Sequence, residues 1–143
     1  MILLVDADSL IFASCYRKRL TPDDSPYYEK LSDATDKFDE QLMGIVNDLE
    51  ENYIIDKVLI FSGSLGNFRK LITKKYKANR TNQQKPPLLN EVHAYVKDKH
   101  NSIYGYGVET DDMVARYWHD LSKEFGRDEV MIVSIDKDYK QFP

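Results

Sequence analysis

Four short apolar runs constrain this chain more than any other feature: residues 2–5 (Ile-Leu-Leu-Val), 58–61 (Val-Leu-Ile-Phe), 103–106 (Ile-Tyr-Gly-Tyr) and 130–134 (Val-Met-Ile-Val-Ser). Each is short and continuous, without the in–out alternation of a strand that has one wet face, and so reads as a strand buried on both faces. Helix-like stretches separate them. Residues 9–19 form the first and residues 113–125 the last, with Thr-Pro-Asp-Asp-Ser-Pro at 21–26 as a loop. In residues 36–53, Phe38, Leu42, Ile45, Val46 and Leu49 recur at helical spacing. In residues 88–99, Leu88, Leu89, Val92, Tyr95 and Val96 share one face, and Pro86-Pro87 marks the start. The alternation predicts an α/β fold, a parallel β-sheet with helices on both faces. At 143 residues and 42% apolar, the chain has enough for one ordinary core and shows no repeat or linker.

In such a sheet all strands end along one edge, which is where ligands bind. Asp6 and Asp8 follow the first strand, Glu109, Asp111 and Asp112 the third, and Asp136 and Asp138 the fourth. The densest group is Gly-Val-Glu-Thr-Asp-Asp at 107–112, three carboxylates in four positions ahead of a helix. Thr110 or Asp111 would cap that helix, and acids in its first turn favour its dipole. That accounts for one or two of the acids. Seven carboxylates from three segments repel and raise one another's pKa unless a cation sits among them. Oxygen donors with no Cys or His nearby select a hard ion, Mg²⁺ or Mn²⁺. Asp8 reads equally as a solvated cap and enters as an additional candidate.

The positive charges are as unevenly placed. From Ser62 to Asn90 there is no acid, while Arg69, Lys70, Lys74, Lys75, Lys77, Arg80 and Lys85 all fall there. The whole chain stands at −4 and this stretch at +7, so the remainder carries −11. Phe68 and Tyr76 are interleaved and offer stacking faces for bases. A basic run beside an acidic metal rim suits a polyanionic substrate: the bases capture phosphates and a metal acts on the phosphodiester.

Val-Asp-Ala-Asp at 5–8, Asn-Phe-Arg-Lys at 67–70, Tyr-Lys-Ala-Asn-Arg at 76–80, Gly-Val-Glu-Thr-Asp-Asp at 107–112 and Ser-Ile-Asp-Lys-Asp at 134–138 together resemble the bacteriophage and bacterial 5′–3′ exonuclease and flap endonuclease family, and most closely the phage exonucleases. The resemblance runs through almost the whole chain in the family's order. It implies a PIN-like (Rossmann-like) N-terminal catalytic domain over residues 1–143, active in DNA replication and cleaving DNA from 5′ ends, at flaps or in single strands, or RNA in RNA–DNA hybrids. Carried over by position, Asp6, Glu109, Asp111, Asp112, Asp136 and Asp138 would be metal ligands, for two ions in the complete enzyme. Lys77 would offset charge on the phosphate with help from Arg80. Arg69, Lys70, Lys74, Lys75 and Tyr76 would hold the nucleic acid, Tyr76 by stacking on a terminal base. Two departures stand out. Ser62-Gly63-Ser64 occupies the place after the second strand where relatives commonly carry Asp. The family's later Gly-Asp-x-x-Asp-Asn-like segment and its helix–turn–helix DNA-binding unit have no counterpart before Pro143. The expectation is the catalytic half of a nuclease, either shortened or completed by a second chain.

Two rival readings remain open. Leu-Leu-Val-Asp-Ala-Asp-Ser at 3–9 also resembles the first motif of haloacid-dehalogenase-type phosphatases, with Asp6 as nucleophile, Asp8 as general acid and Ser62 or Ser64 as the hydroxyl group. That reading leaves the block at 76–80 unused. A receiver-like or nucleic-acid-binding module with a structural metal is the other. The remaining residues read as structure. His93, His100 and His119 lack ligand spacing, Trp118 and Leu121 fall at core positions, and the single Cys15 sits among apolar neighbours. One cysteine, no basic leader and no apolar run long enough for a bilayer suggest a reducing bacterial or phage-infected cytoplasm and no membrane.

Overall fold

The first strand is the middle of the sheet. In the computed structural model, which describes residues 1–63, 86–105 and 109–134, β1 (Ile2–Asp6) is flanked on one side by β2 (Lys57–Gly63) and on the other by β4 (Val130–Val133). β3 (Ile103–Gly105) pairs with β2, so the order is β3-β2-β1-β4 with every pairing parallel. Register aligns Val5 with Ile60 and with Val133, and Gly63 with Gly105. The strands therefore finish together at one edge. The strand order reverses between β1 and β4, which puts the topological switch beside Asp6.

The absence of alternation in the Ile-Leu-Leu-Val run is explained by the two faces it serves. Leu3 and Val5 pack with α1 (Ala7–Ser14), α2 (Leu31–Glu50) and α3 (Leu89–Lys99), through Leu10, Phe12, Phe38, Leu42, Val92 and Val96. Leu4 faces the other way, joining Phe61, Val130, Ile132 and Val114 of α4 (Thr110–Phe125). Leu3, Leu4 and Val5 are all fully buried. Among the described residues, helices thus cover both faces, three against one layer and α4 against the other. At about 25 cal/mol per Å² of buried apolar surface, these two cores supply most of the driving force.

Several element ends differ from the sequence expectation. α1 begins at Ala7 and stops at Ser14, where 9–19 was expected, because Asp6 caps it immediately after β1. The chain then folds back: Tyr16 bridges Tyr27, the Arg17 amide donates to Pro26 O at 2.8 Å, and Tyr28 N donates to Cys15 O at 2.9 Å. Lys37 Nζ donates to Ala13 O and Tyr16 O, a cation on the carbonyl end of α1. α2 starts five residues earlier than residues 36–53 implied, with Ala34 and Thr35 already buried. Among the described residues no helix is long and apolar enough to cross a membrane.

Candidate metal centre

The candidate site begins where the chain leaves β1. Asp6 is 6% exposed and its Oδ1 accepts the Asp8 amide at 3.1 Å, which caps α1. A carboxylate here satisfies an orphan N–H and faces the positive end of the helix dipole.

Asp8, in the first turn of α1, is bonded to two other elements and faces a third. Its Oδ1 accepts the Gly63 amide at the end of β2 at 3.0 Å, and its Oδ2 accepts the Thr110 hydroxyl of α4 at 2.5 Å. His93 Nε2 of α3 faces Oδ1 at 3.8 Å, too long for a hydrogen bond. The two side chains are 10% and 13% exposed. Among the described residues His93 Nε2 is buried without a hydrogen-bond partner, while the ring stands edge-on to Tyr104.

α4 starts at Thr110, three residues before the expected 113. Glu109 takes the N-cap position in extended backbone (φ −68°, ψ 138°) and makes no side-chain cap bond. The expectation that Thr110 or Asp111 caps this helix is therefore corrected: Thr110 lies inside the helix, buried, and its hydroxyl goes to Asp8. The first turn then sets Glu109, Asp111 and Asp112 side by side. One carboxylate oxygen from each lies within 4.8 Å of the others, with Asp111 half-buried and its neighbours exposed. Three hard oxygens at this spacing suit one oxygen-liganded divalent ion, since Mg²⁺–oxygen distances of about 2.1 Å put opposed ligands about 4.2 Å apart.

The structure brings together Glu109, Asp111 and Asp112, and joins their helix to Asp8 and so to the segment next to Asp6. Asp6 itself is not a member of the three-carboxylate group. Ser134 is buried just after β4, and Asp136 and Asp138 beyond it lie outside the described residues. So do Arg69, Lys70, Lys74, Lys75, Tyr76, Lys77 and Arg80. At the end of β2, the buried Ser62 hydroxyl is 2.7 Å from Ser102 Oγ.

The sequence did not show the approach of two residues to Asp8: His93, which reads as a surface or packing residue and does pack against Tyr104, and Thr110, which reads as a cap. Their shared partner is far away in the chain, and no local spacing announces it. The other bland readings hold: His100 Nε2 is 2.8 Å from Asp39 Oδ1, Trp118 Nε1 donates to Val130 O, and Cys15 is buried.

The family described as 5′-3′ exonuclease, N-terminal resolvase-like domain, matches residues 1–143. No curated protein and no solved structure matches the chain.

Proposed function

Because the chain belongs to the family of 5′-3′ exonuclease N-terminal resolvase-like domains, we propose that it hydrolyses phosphodiester bonds in DNA with the help of Mg²⁺ or Mn²⁺. The observation that carries the metal is the convergence of Glu109, Asp111 and Asp112 within 4.8 Å at the carboxyl edge of the sheet. These three would hold the ion, with Asp6 from β1 and Asp136 and Asp138 from the segment after β4 completing the ligand set for two ions. When bound, such an ion supplies a hydroxide nucleophile at neutral pH and neutralises charge on the scissile phosphate.

The chain's own groups do the rest. Arg69, Lys70, Lys74 and Lys75 attract and hold the backbone, and Tyr76 stacks on an exposed base. Lys77, with Arg80, offsets the charge that develops on the phosphate oxygens. Substrates with free 5′ ends, flaps or single strands, and RNA in hybrids, are part of this proposal, which the family's nuclease character supports.

The test is cleavage of a 5′-tailed duplex and a single strand in Mg²⁺ and in Mn²⁺. Asp111→Asn is expected to lower the rate at least a hundredfold, and chelation to abolish it. Degradation that survives both chelator and Asp111→Asn would rule the proposal out.

A further inference from the structure

We propose that Asp8 is a positioning residue of the metal centre, acting through Thr110 rather than as a ligand. The inference rests on the metal reading above and adds a residue that the three-carboxylate group does not contain. Asp8 sits two residues from Asp6, in the first turn of α1. Yet its oxygens reach the end of β2 through the Gly63 amide at 3.0 Å and the first residue of α4 through the Thr110 hydroxyl at 2.5 Å. Thr110 stands between Glu109 and Asp111 in the chain. A bond that fixes Thr110 fixes the turn carrying all three acids, and does so relative to the strand end that carries Asp6. The bond joins the buried Thr110, at 3% exposure, to the half-buried Asp8, whose side chain is 10% exposed. Charge-assisted O–H···O⁻ bonds are among the shorter and stronger hydrogen bonds, so this one resists the rotation by which the helix end would otherwise adjust.

Two further contacts favour positioning over ligation. The Gly63 amide already aims its hydrogen at one Asp8 oxygen and the Thr110 hydroxyl at the other, so each oxygen faces a donor before any cation arrives. The His93 imidazole closes a further side of the carboxylate at 3.8 Å. Three strands and helices that the sequence separates by tens of residues therefore meet on one carboxylate. Groups that orient the ligands of a metal typically change its affinity by about ten- to a hundredfold when removed.

The experiment measures Mn²⁺ binding to the full chain by electron paramagnetic resonance, with thermal melting to confirm that each variant is folded. Asp111→Asn defines the site. Thr110→Val, which keeps the shape and loses the hydroxyl, is expected to weaken Mn²⁺ binding about tenfold or more, and Thr110→Ser to bind nearly as the unsubstituted chain does. Asp8→Asn is expected to behave like Thr110→Val; if it does not fold, the Val–Ser pair carries the test. Equal Mn²⁺ affinity in folded Thr110→Val, or an equal loss in Thr110→Ser, would overturn the positioning role and leave the metal reading intact. Absence of any Asp111-dependent Mn²⁺ binding in the unsubstituted chain would overturn both.

Discussion

Cys15 and Tyr95 are pushed to similar values by different physics. Burial of the Cys15 thiol, reinforced by the negative charge of Glu91, raises it to about 12, so the thiolate is scarce at neutral pH. A thiol reagent is expected to modify Cys15 only after denaturant is added; rapid labelling of the native chain would contradict this. Tyr95 is raised to about 12 first by donating its hydroxyl to Asp39 Oδ2 at 2.6 Å and then by burial. The unfolded phenol ionises near 10.0, so between pH 10 and 12 the folded chain keeps a proton that the unfolded chain has lost. The resulting stability is present below pH 10 and disappears as pH climbs toward 12. Thermal midpoints across that window should fall less steeply in Tyr95→Phe, and identical slopes would show that the Asp39 bond does not matter. The burial of Cys15 was legible from its apolar neighbours, whereas the Tyr95 effect was not, because Asp39 and Tyr95 lie on different helices that only the packed fold brings together.

At the level of elements, the strands and the start of α3 were readable, and the starts of α1, α2 and α4 were not. A both-faces-buried strand announces itself by an unbroken apolar run, and β1 and β2 appeared where Ile-Leu-Leu-Val and Val-Leu-Ile-Phe stood. A helix start depends on its cap. α1 starts at Ala7 because Asp6 caps it, and α4 starts at Thr110 because Asp8 holds that residue from another element. The group Glu109, Asp111 and Asp112 after β3 was legible for the same reason as the strands, since a parallel sheet fixes where strand ends must lie. What Asp8 and His93 contact was not, being set by tertiary placement alone. The C-terminal end of α4 was marked by Gly126, whose backbone (φ 102°, ψ 146°) lies where side-chain-bearing residues are rarely found. An added Cβ there would meet nothing nearer than Glu129 Cγ at 3.9 Å, so the cost is backbone strain and not collision. Gly126→Ala is expected to lose about 1–3 kcal/mol in denaturant unfolding. A neutral result would mean that the turn into β4 rearranges freely.

The whole molecule is electrically lopsided, with seven cations in the acid-free stretch and −11 on the remainder. If all seven meet phosphates of a single strand, the logarithm of affinity should fall against the logarithm of salt with a slope of about −5. A slope near zero would remove that stretch from binding. The placement of β1 has a consequence of another kind. Ile2 pairs with Lys57 on one side and with Val130 on the other. A ribosome adding about 5–20 residues per second therefore leaves β1 without its second neighbour for on the order of ten seconds. During that interval a strand apolar from Ile2 to Val5 has an open edge, the kind of surface that recruits other chains. A product cut back to end at Phe125 keeps that edge permanently and is expected to sediment as aggregate, whereas a soluble monomer would show that β1 tolerates exposure. Of the described strands, the earliest made is thus the one that waits longest for its last neighbour.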